Sequence, residues 1–244
     1  ISIIEPENFE NLSSVAAGTG AFKVQEWIPG DHATFVKNEA YWDPNRPLVD
    51  EVTIQFYGDE GSLVSALEGG ILDIAIGVPP REMERLEQSF TIVQGLPGAR
   101  FYYLGLSPKQ APFDNKLVRQ ALAWCVNREE IVNVAFFGQA EQATEAVYSG
   151  NPYYTGLNAY ADGPDYDKAK ALLAEAGMEG LEFQFDGQPQ VPTQMKTAQV
   201  LQQQFQRAGI NMTIQNYESG EWISRLFAKE YQATVSYWSA TLDP

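Results

Sequence analysis

The sequence predicts an α/β fold with mixed sheets, and three stretches carry that expectation. "GTGAFKVQEWIPGDHATFVKNEAYW" (18–42) reads as a β-hairpin, with alternating runs at 20–27 and 32–37 around Pro29-Gly30-Asp31. "DKAKALLAEAGMEGLEFQF" (167–185) and "TAQVLQQQFQRAGINMTIQ" (197–215) repeat one unit of helix, Ala-Gly stop and strand. "YQATVSYW" (231–238) alternates and β-branches like a strand and ends on an aromatic pair. Helices alternating with strands imply some parallel pairing with right-handed crossovers.

The remaining elements follow in order. "VDEVTIQFYG" (49–58) places Val52, Ile54 and Phe56 on one strand face. Asp59 can cap a helix through "SLVSALEG" that stops at Gly69-Gly70. "ILDIAIGV" (71–78) reads as a buried strand, Pro79-Pro80 opens a helix through "REMERLEQ", and "ARFYYLGLS" (99–107) is a further strand. Residues 113–138 give two helices joined at Asn127, the first capped by Asp114 and apolar at Leu117, Ala121, Leu122, Trp124 and Cys125. The Tyr-, Gly-, Asn- and Pro-rich stretch 139–164 is an ordered loop. Gly177 and Gly209 sit where a left-handed residue should end a helix. A last helix, "GEWISRLFAKE" (220–230), leads into the terminal strand.

Composition narrows the function. The formal charge of −16 over 244 residues repels phosphate backbones, which argues against nucleic-acid binding and favours neutral or cationic ligands. One cysteine, Cys125, permits no intramolecular disulfide, and one histidine, His32, leaves zinc short of ligands. Cys125 lies on an apolar helical stripe and His32 beside a turn, so a core thiol and a surface imidazole are expected instead of a nucleophile–base pair. Gly18-Thr19-Gly20 precedes a strand and so fails as a phosphate loop. Carboxylates are plentiful, and a hydrolase with a close acid pair stays open as an alternative, although Glu82, Glu84, Glu87, Glu129 and Glu130 read as solvated helix faces. No cofactor is implied. No apolar run approaches the roughly 18 residues of a membrane span.

Aromatic residues mark element ends: Tyr41-Trp42, Tyr102-Tyr103, Tyr153-Tyr154, Trp222 and Tyr237-Trp238. Ligands of α/β proteins gather at the carboxyl ends of strands. A large ring buries roughly 150–250 Å² in full, worth about 4–6 kcal/mol as an upper limit, and a ligand covering one face gains about half. Two or three such rings would support micromolar binding, which needs about −8 kcal/mol.

The blocks 18–42, "ALEGGILDIAIGVPP" (66–80) and "YYLGLSPKQAPFDNKLVRQALAWCVNREEIV" (102–132) resemble family 5 extracellular solute-binding proteins, the peptide/nickel-type receptors of ABC importers. The unit at 167–185 and the ending "YWSATLDP" fall in that family's order, and 113–132 is the most specific part. The resemblance implies a periplasmic-binding-protein-like fold. Residues 1–104 correspond to a partial, β-rich first lobe and 105–244 to most of an α/β second lobe, with a hinge strand near 107–112. It also implies that the chain is a piece of a longer protein, so that self-association through unpaired edges of the first-lobe segment is expected. The implied function is capture of a small solute between two lobes and its delivery to a membrane permease, without catalysis. The implied location is extracytoplasmic, either periplasmic or lipid-anchored at the outer face of the membrane.

Carried over by position, the solute-facing residues are Trp238, Ser239, Ala240 and Thr241, beside Tyr237, with Trp222 and the segment Ile76, Gly77 and Val78 as further cleft-lining positions. One departure concerns the solute. Peptide-binding members carry an Asp three residues after this Trp, holding the ligand's α-ammonium. This chain has Thr241 there, and Asp243 is the nearest carboxylate. Removing one partner of a buried ion pair costs about 3–5 kcal/mol. A neutral or non-peptidic solute such as an oligosaccharide is therefore expected over a dipeptide, with an oligopeptide or dipeptide as the alternative.

Overall fold

The computed structural model describes residues 18–93 and 100–239. The chain divides into two compact units, Ile1–Val78 and Pro79–Pro244.

In the first unit, β1 (Phe22–Ile28), β2 (His32–Lys37) and β3 (Glu51–Gln55) form an antiparallel sheet in that order. The β1–β2 turn closes with Asp31 N–H donating to the Ile28 carbonyl at 3.1 Å, and Gly30 supplies the positive φ of 80° that the turn requires. The register pairs Ile28 with His32 and Phe22 with Lys37, with an irregularity between Val24 and Glu26. Helix α1 (Glu60–Glu68) starts at Asp59, whose carboxylate accepts from the Ser62 backbone N–H at 2.9 Å and the Ser62 hydroxyl at 2.6 Å. It stops at Gly69 and Gly70, the latter at φ 70°.

Segment 71–78 is not the buried strand expected from its apolar run. It forms no strand, and Ile71, Ile74 and Ile76 are exposed, Ile76 at 88%. A strand needs a hydrogen-bonded neighbour, and none of the described strands pairs with this segment.

The second unit contains α2 (Pro80–Leu86), β4 (Arg100–Leu106), α3 (Lys116–Cys125), α4 (Arg128–Ala135), α5 (Tyr166–Glu175), β5 (Glu182–Gly187), α6 (Pro192–Arg207), β6 (Asn211–Asn216), α7 (Ser219–Ala228) and β7 (Ala233–Ser239). Its mixed sheet runs β4-β7-β5-β6, with β5 parallel to both β6 and β7 and β4 antiparallel to β7. The division expected at 104/105 falls inside β4, which pairs with β7 from Arg100 to Leu106. As a compact unit, this part begins at Pro79. The segment after β4 is fastened to the α7–β7 connection: Ser107 N–H donates to the Gln232 carbonyl at 2.9 Å, and the Gln232 amide donates to the Ala111 carbonyl at 2.9 Å.

One face of the sheet carries the core. Phe183 and Phe185 of β5, Ala233 and Val235 of β7 and Met212 of β6 pack with Val118, Leu122 and Cys125 of α3, Leu173 of α5 and Leu201 and Phe205 of α6. Alternation sends Asp186 and Thr234 to the other face, where α7 meets them through Trp222 and Arg225. The cap of α3 is Asn115, whose Oδ1 accepts from Leu117 N–H at 2.9 Å. The expected cap, Asp114, accepts from Asn115 N–H instead, one residue short of reaching the helix. Asn127 caps α4, accepting from Glu130 N–H. Gly177 and Gly209, at φ 66° and 78°, end α5 and α6 as their Ala-Gly stops imply.

Candidate functional site

The parallel strands β5, β6 and β7 bring their carboxyl ends to one edge of the sheet. Strand β5 exits to α6 on the core face and β6 exits to α7 on the opposite face, so the chain reverses direction there. In open α/β sheets such a switch point is where ligands bind. Gly187 ends β5 with no room for a side chain: an added Cβ would lie 2.8 Å from Asn216 Oδ1 and 3.1 Å from Ile214 Cγ2. Beyond it, the Gln188 amide donates to the Ser219 hydroxyl at 2.8 Å, and the Gln190 amide donates to a Glu218 carboxylate oxygen at 2.6 Å. These polar residues are absent from the positions expected to face solute. Their signal was a glycine closing a strand ahead of the Gln-rich run "QPQ".

Trp238 stands at the end of β7, cross-strand from Phe101, with 62% of its surface exposed. It is not sealed in packing. Tyr237 points to the other face, where its ring meets Tyr102 at 5.6 Å and lies under the Arg100 guanidinium at 4.2 Å. Tyr102 in turn meets Phe136 edge-on at 5.0 Å. Trp222 behaves differently from its sequence-level role. It is buried at 7%, and its indole N–H donates to the Thr234 hydroxyl at 3.1 Å and reaches the Asp186 carbonyl at 3.3 Å. It supports β7 from beneath.

An ion pair holds the same face. Arg225 Nε donates to Asp186 Oδ2 at 2.7 Å, the Gln184 amide donates to Asp186 Oδ1 at 3.0 Å, and the guanidinium lies 4.4 Å from the Tyr217 ring centroid. The Asp186 carboxylate raises the Arg225 pKa above its ordinary value. These bonds fix the sheet end on which Trp238 is carried.

The other candidates lie elsewhere. Ile76, Gly77 and Val78 belong to the first unit, with Gly77 at φ 80°. Ser239 is the last residue of β7, and Ala240, Thr241 and Asp243 lie outside the described residues. Cys125 is fully buried, and burial pushes its thiol up to about 12. His32 sits between Asp31 Oδ2 at 2.7 Å and Glu26 Oε2 at 3.1 Å, and these hydrogen bonds raise its pKa. Among the described residues no three His, Cys, Asp or Glu side chains converge as a metal site. Nor is any described helix long and apolar enough to cross a membrane.

The sheet end thus combines a tryptophan exposed on β7 with polar side chains after β5. The chain belongs to the bacterial extracellular solute-binding proteins, family 5, whose middle-region sequence profile matches residues 2–244. It is 31% identical over 208 residues to the glutathione-binding protein GsiB of Escherichia coli K12, which covers 84% of this chain and 40% of GsiB. The solved structure of the periplasmic binding protein AgaA from A. tumefaciens R10, in complex with agropinic acid, superposes with a TM-score of 0.84 at 29% identity, covering 95% of this chain and 48% of AgaA. DppA from Helicobacter pylori, in complex with the peptide STSA, shares the fold with a TM-score of 0.88 at 24% identity, covering 98% of this chain and 48% of DppA. The chain spans less than half the length of these proteins. The family is extracellular by its own description, which puts the chain outside the cytoplasm.

Proposed function

We propose that this chain serves the substrate-binding component of an ABC importer, capturing a small solute between two lobes and passing it to a membrane permease without bond chemistry. The observation that carries the reading is the exposed ring of Trp238 near the carboxyl end of β7, a strand parallel to β5, after which come Gln188 and Gln190. A ring with this exposure that becomes covered by solute contributes about 2–3 kcal/mol. Ser239, Ala240 and Thr241, which follow Trp238 in sequence, and Ile76, Gly77 and Val78 are further candidates for solute contact. Closure turns on a hinge near 107–112, where β4 leaves the sheet.

The solute is neutral or non-peptidic, such as an oligosaccharide, because Thr241 offers no charge to an α-ammonium. A peptide is the second reading, favoured by the similarity to GsiB, a glutathione-binding protein. Calorimetry on the full-length protein distinguishes them. Oligosaccharide binding that weakens at least about tenfold in Trp238→Ala supports the first reading, and micromolar dipeptide binding overturns it. Exposed Trp27 and Trp42 in the first unit favour self-association of the isolated chain, which light scattering would detect as a dimer or larger species.

A further inference from the structure

Trp238 is one corner of a larger surface on its face of the sheet. Cross-strand register sets Phe101 opposite Trp238 and Tyr103 opposite Ser236, and directly opposed residues of an antiparallel pair share a face. Alternation along β7 puts Ser236 on that same face, two residues before Trp238. The Phe101 and Tyr103 rings meet at 5.9 Å with their planes tilted by 45°, and both residues are half-buried. Tyr103 leans toward Gly105, where an added Cβ would lie 3.4 Å from its Cε2. Two strands thus lay three aromatic rings on one face, at the end that carries Trp238.

Ser236 adds a second, independent observation. It is only 6% exposed, yet its hydroxyl makes no hydrogen bond among the described residues, unlike that of Thr234 on the same face. Every sealed side-chain oxygen or nitrogen among the described residues has a partner, so the Ser236 Oγ opens to the surface between Trp238 and Tyr103. A hydroxyl carries one donor and two acceptor sites, and leaving them unspent at a buried position is unfavourable. The neighbours on this face, Gly105, Thr234 and Gln184, are uncharged, and Arg225 neutralises Asp186.

Flat apolar rings beside an uncharged donor and acceptor suit a sugar, whose ring offers a C–H face for stacking and hydroxyls at its rim. We propose that Phe101, Tyr103 and Ser236 extend the Trp238 site into a floor for two linked rings of a neutral oligosaccharide. One sugar ring stacks on Trp238 and the next on Tyr103, which lies diagonally across the strand pair with its Cβ roughly 7–8 Å away. Phe101 fills the floor between them, and the Ser236 hydroxyl bonds a sugar hydroxyl. This assignment rests on the reading of the chain as the solute-binding part of an importer, and it adds three contacts to that site.

The test is calorimetry on the full-length protein with D-glucose, cellobiose, maltose and lactose. At least one disaccharide should bind about tenfold or more tightly than glucose. Tyr103→Leu keeps apolar bulk without the flat ring and should erase that advantage. Ser236→Ala should weaken the disaccharide about three- to tenfold at unchanged Tm, because the hydroxyl bonds nothing in the fold. A disaccharide that depends on Trp238 yet binds both variants as tightly as the parent protein overturns this assignment and leaves the importer reading standing. Glucose binding as tightly as every disaccharide does the same. Binding by none of the four overturns the saccharide solute and this assignment with it.

Discussion

Arg225 reaches across from α7 to place its Nε 2.7 Å from Asp186 Oδ2 on β5, and the carboxylate is almost wholly buried. The same Asp186 is held at its backbone, where the Thr234 hydroxyl donates to its carbonyl at 2.8 Å. Side chain and main chain of one residue therefore lock α7, β5 and β7 together. Removing Arg225 strands a buried charge. Arg225→Ala is expected to cost about 3–5 kcal/mol, read by urea denaturation, whereas a loss under 1 kcal/mol would mean water replaces the guanidinium.

Gln204 makes an equivalent tie on the core side. Its Oε1 accepts from Asn127 N–H at 3.1 Å, while its amide donates to the Asn127 carbonyl at 3.1 Å and to Glu130 Oε2 at 2.8 Å. Fully buried, it satisfies the α3–α4 joint from α6. Gln204→Leu keeps the bulk and abandons both backbone groups, so a loss of about 1–3 kcal/mol in thermal or urea unfolding is expected.

How much of this was legible beforehand depends on where the determining contact lies. The caps at Asp59 and Asn127, the glycine stops at Gly177 and Gly209 and the hairpin at Gly30 are local, and the sequence carries them within a few residues. In segment 71–78 a run of isoleucines specifies burial without naming a partner, and the expected strand does not form. Asp114 and Asn115 are both competent caps one residue apart, and only backbone geometry selects Asn115. An aromatic at a helix start, such as Trp222, suits a cleft or a packing role equally in sequence. The hydroxyl of Thr234 and the carbonyl of Asp186, 12 and 36 residues away, decide the matter.

His32 gives a pH prediction with a definite sign. Hydrogen bonds to Asp31 first and Glu26 second raise its pKa in the fold. The protonated form is therefore the favoured one, and its stabilisation of the hairpin is complete below the ordinary imidazole value. That stabilisation is lost as pH rises through the raised value. An NMR titration of the His32 ring should show a midpoint above that of an unstructured histidine, moving down in Asp31→Asn. An unchanged midpoint would show that solvent screens the pair.

Cys125 should be chemically silent. Burial among Val118, Leu122 and Leu173 pushes its thiol up to about 12, leaving almost no thiolate near neutrality. Native protein is expected to resist Ellman's reagent at pH 8 and to release one thiol after denaturation. Rapid reaction of the folded protein would place the sulfur at the surface.

The two tryptophans at the sheet end should respond in opposite ways. Trp222 is packed and hydrogen-bonded beneath β7, so Trp222→Ala should cost about 3–5 kcal/mol in chemical denaturation. Trp238 has most of its ring in solvent, and Trp238→Ala should change stability by no more than about 0.5 kcal/mol. On the proposed reading, the exposed Trp238 ring serves binding instead of the fold. The full-length protein should then lose solute affinity in Trp238→Ala at unchanged Tm. If Trp238→Ala instead unfolds the protein as Trp222→Ala does, the ring is a packing residue and the sheet end holds no solute.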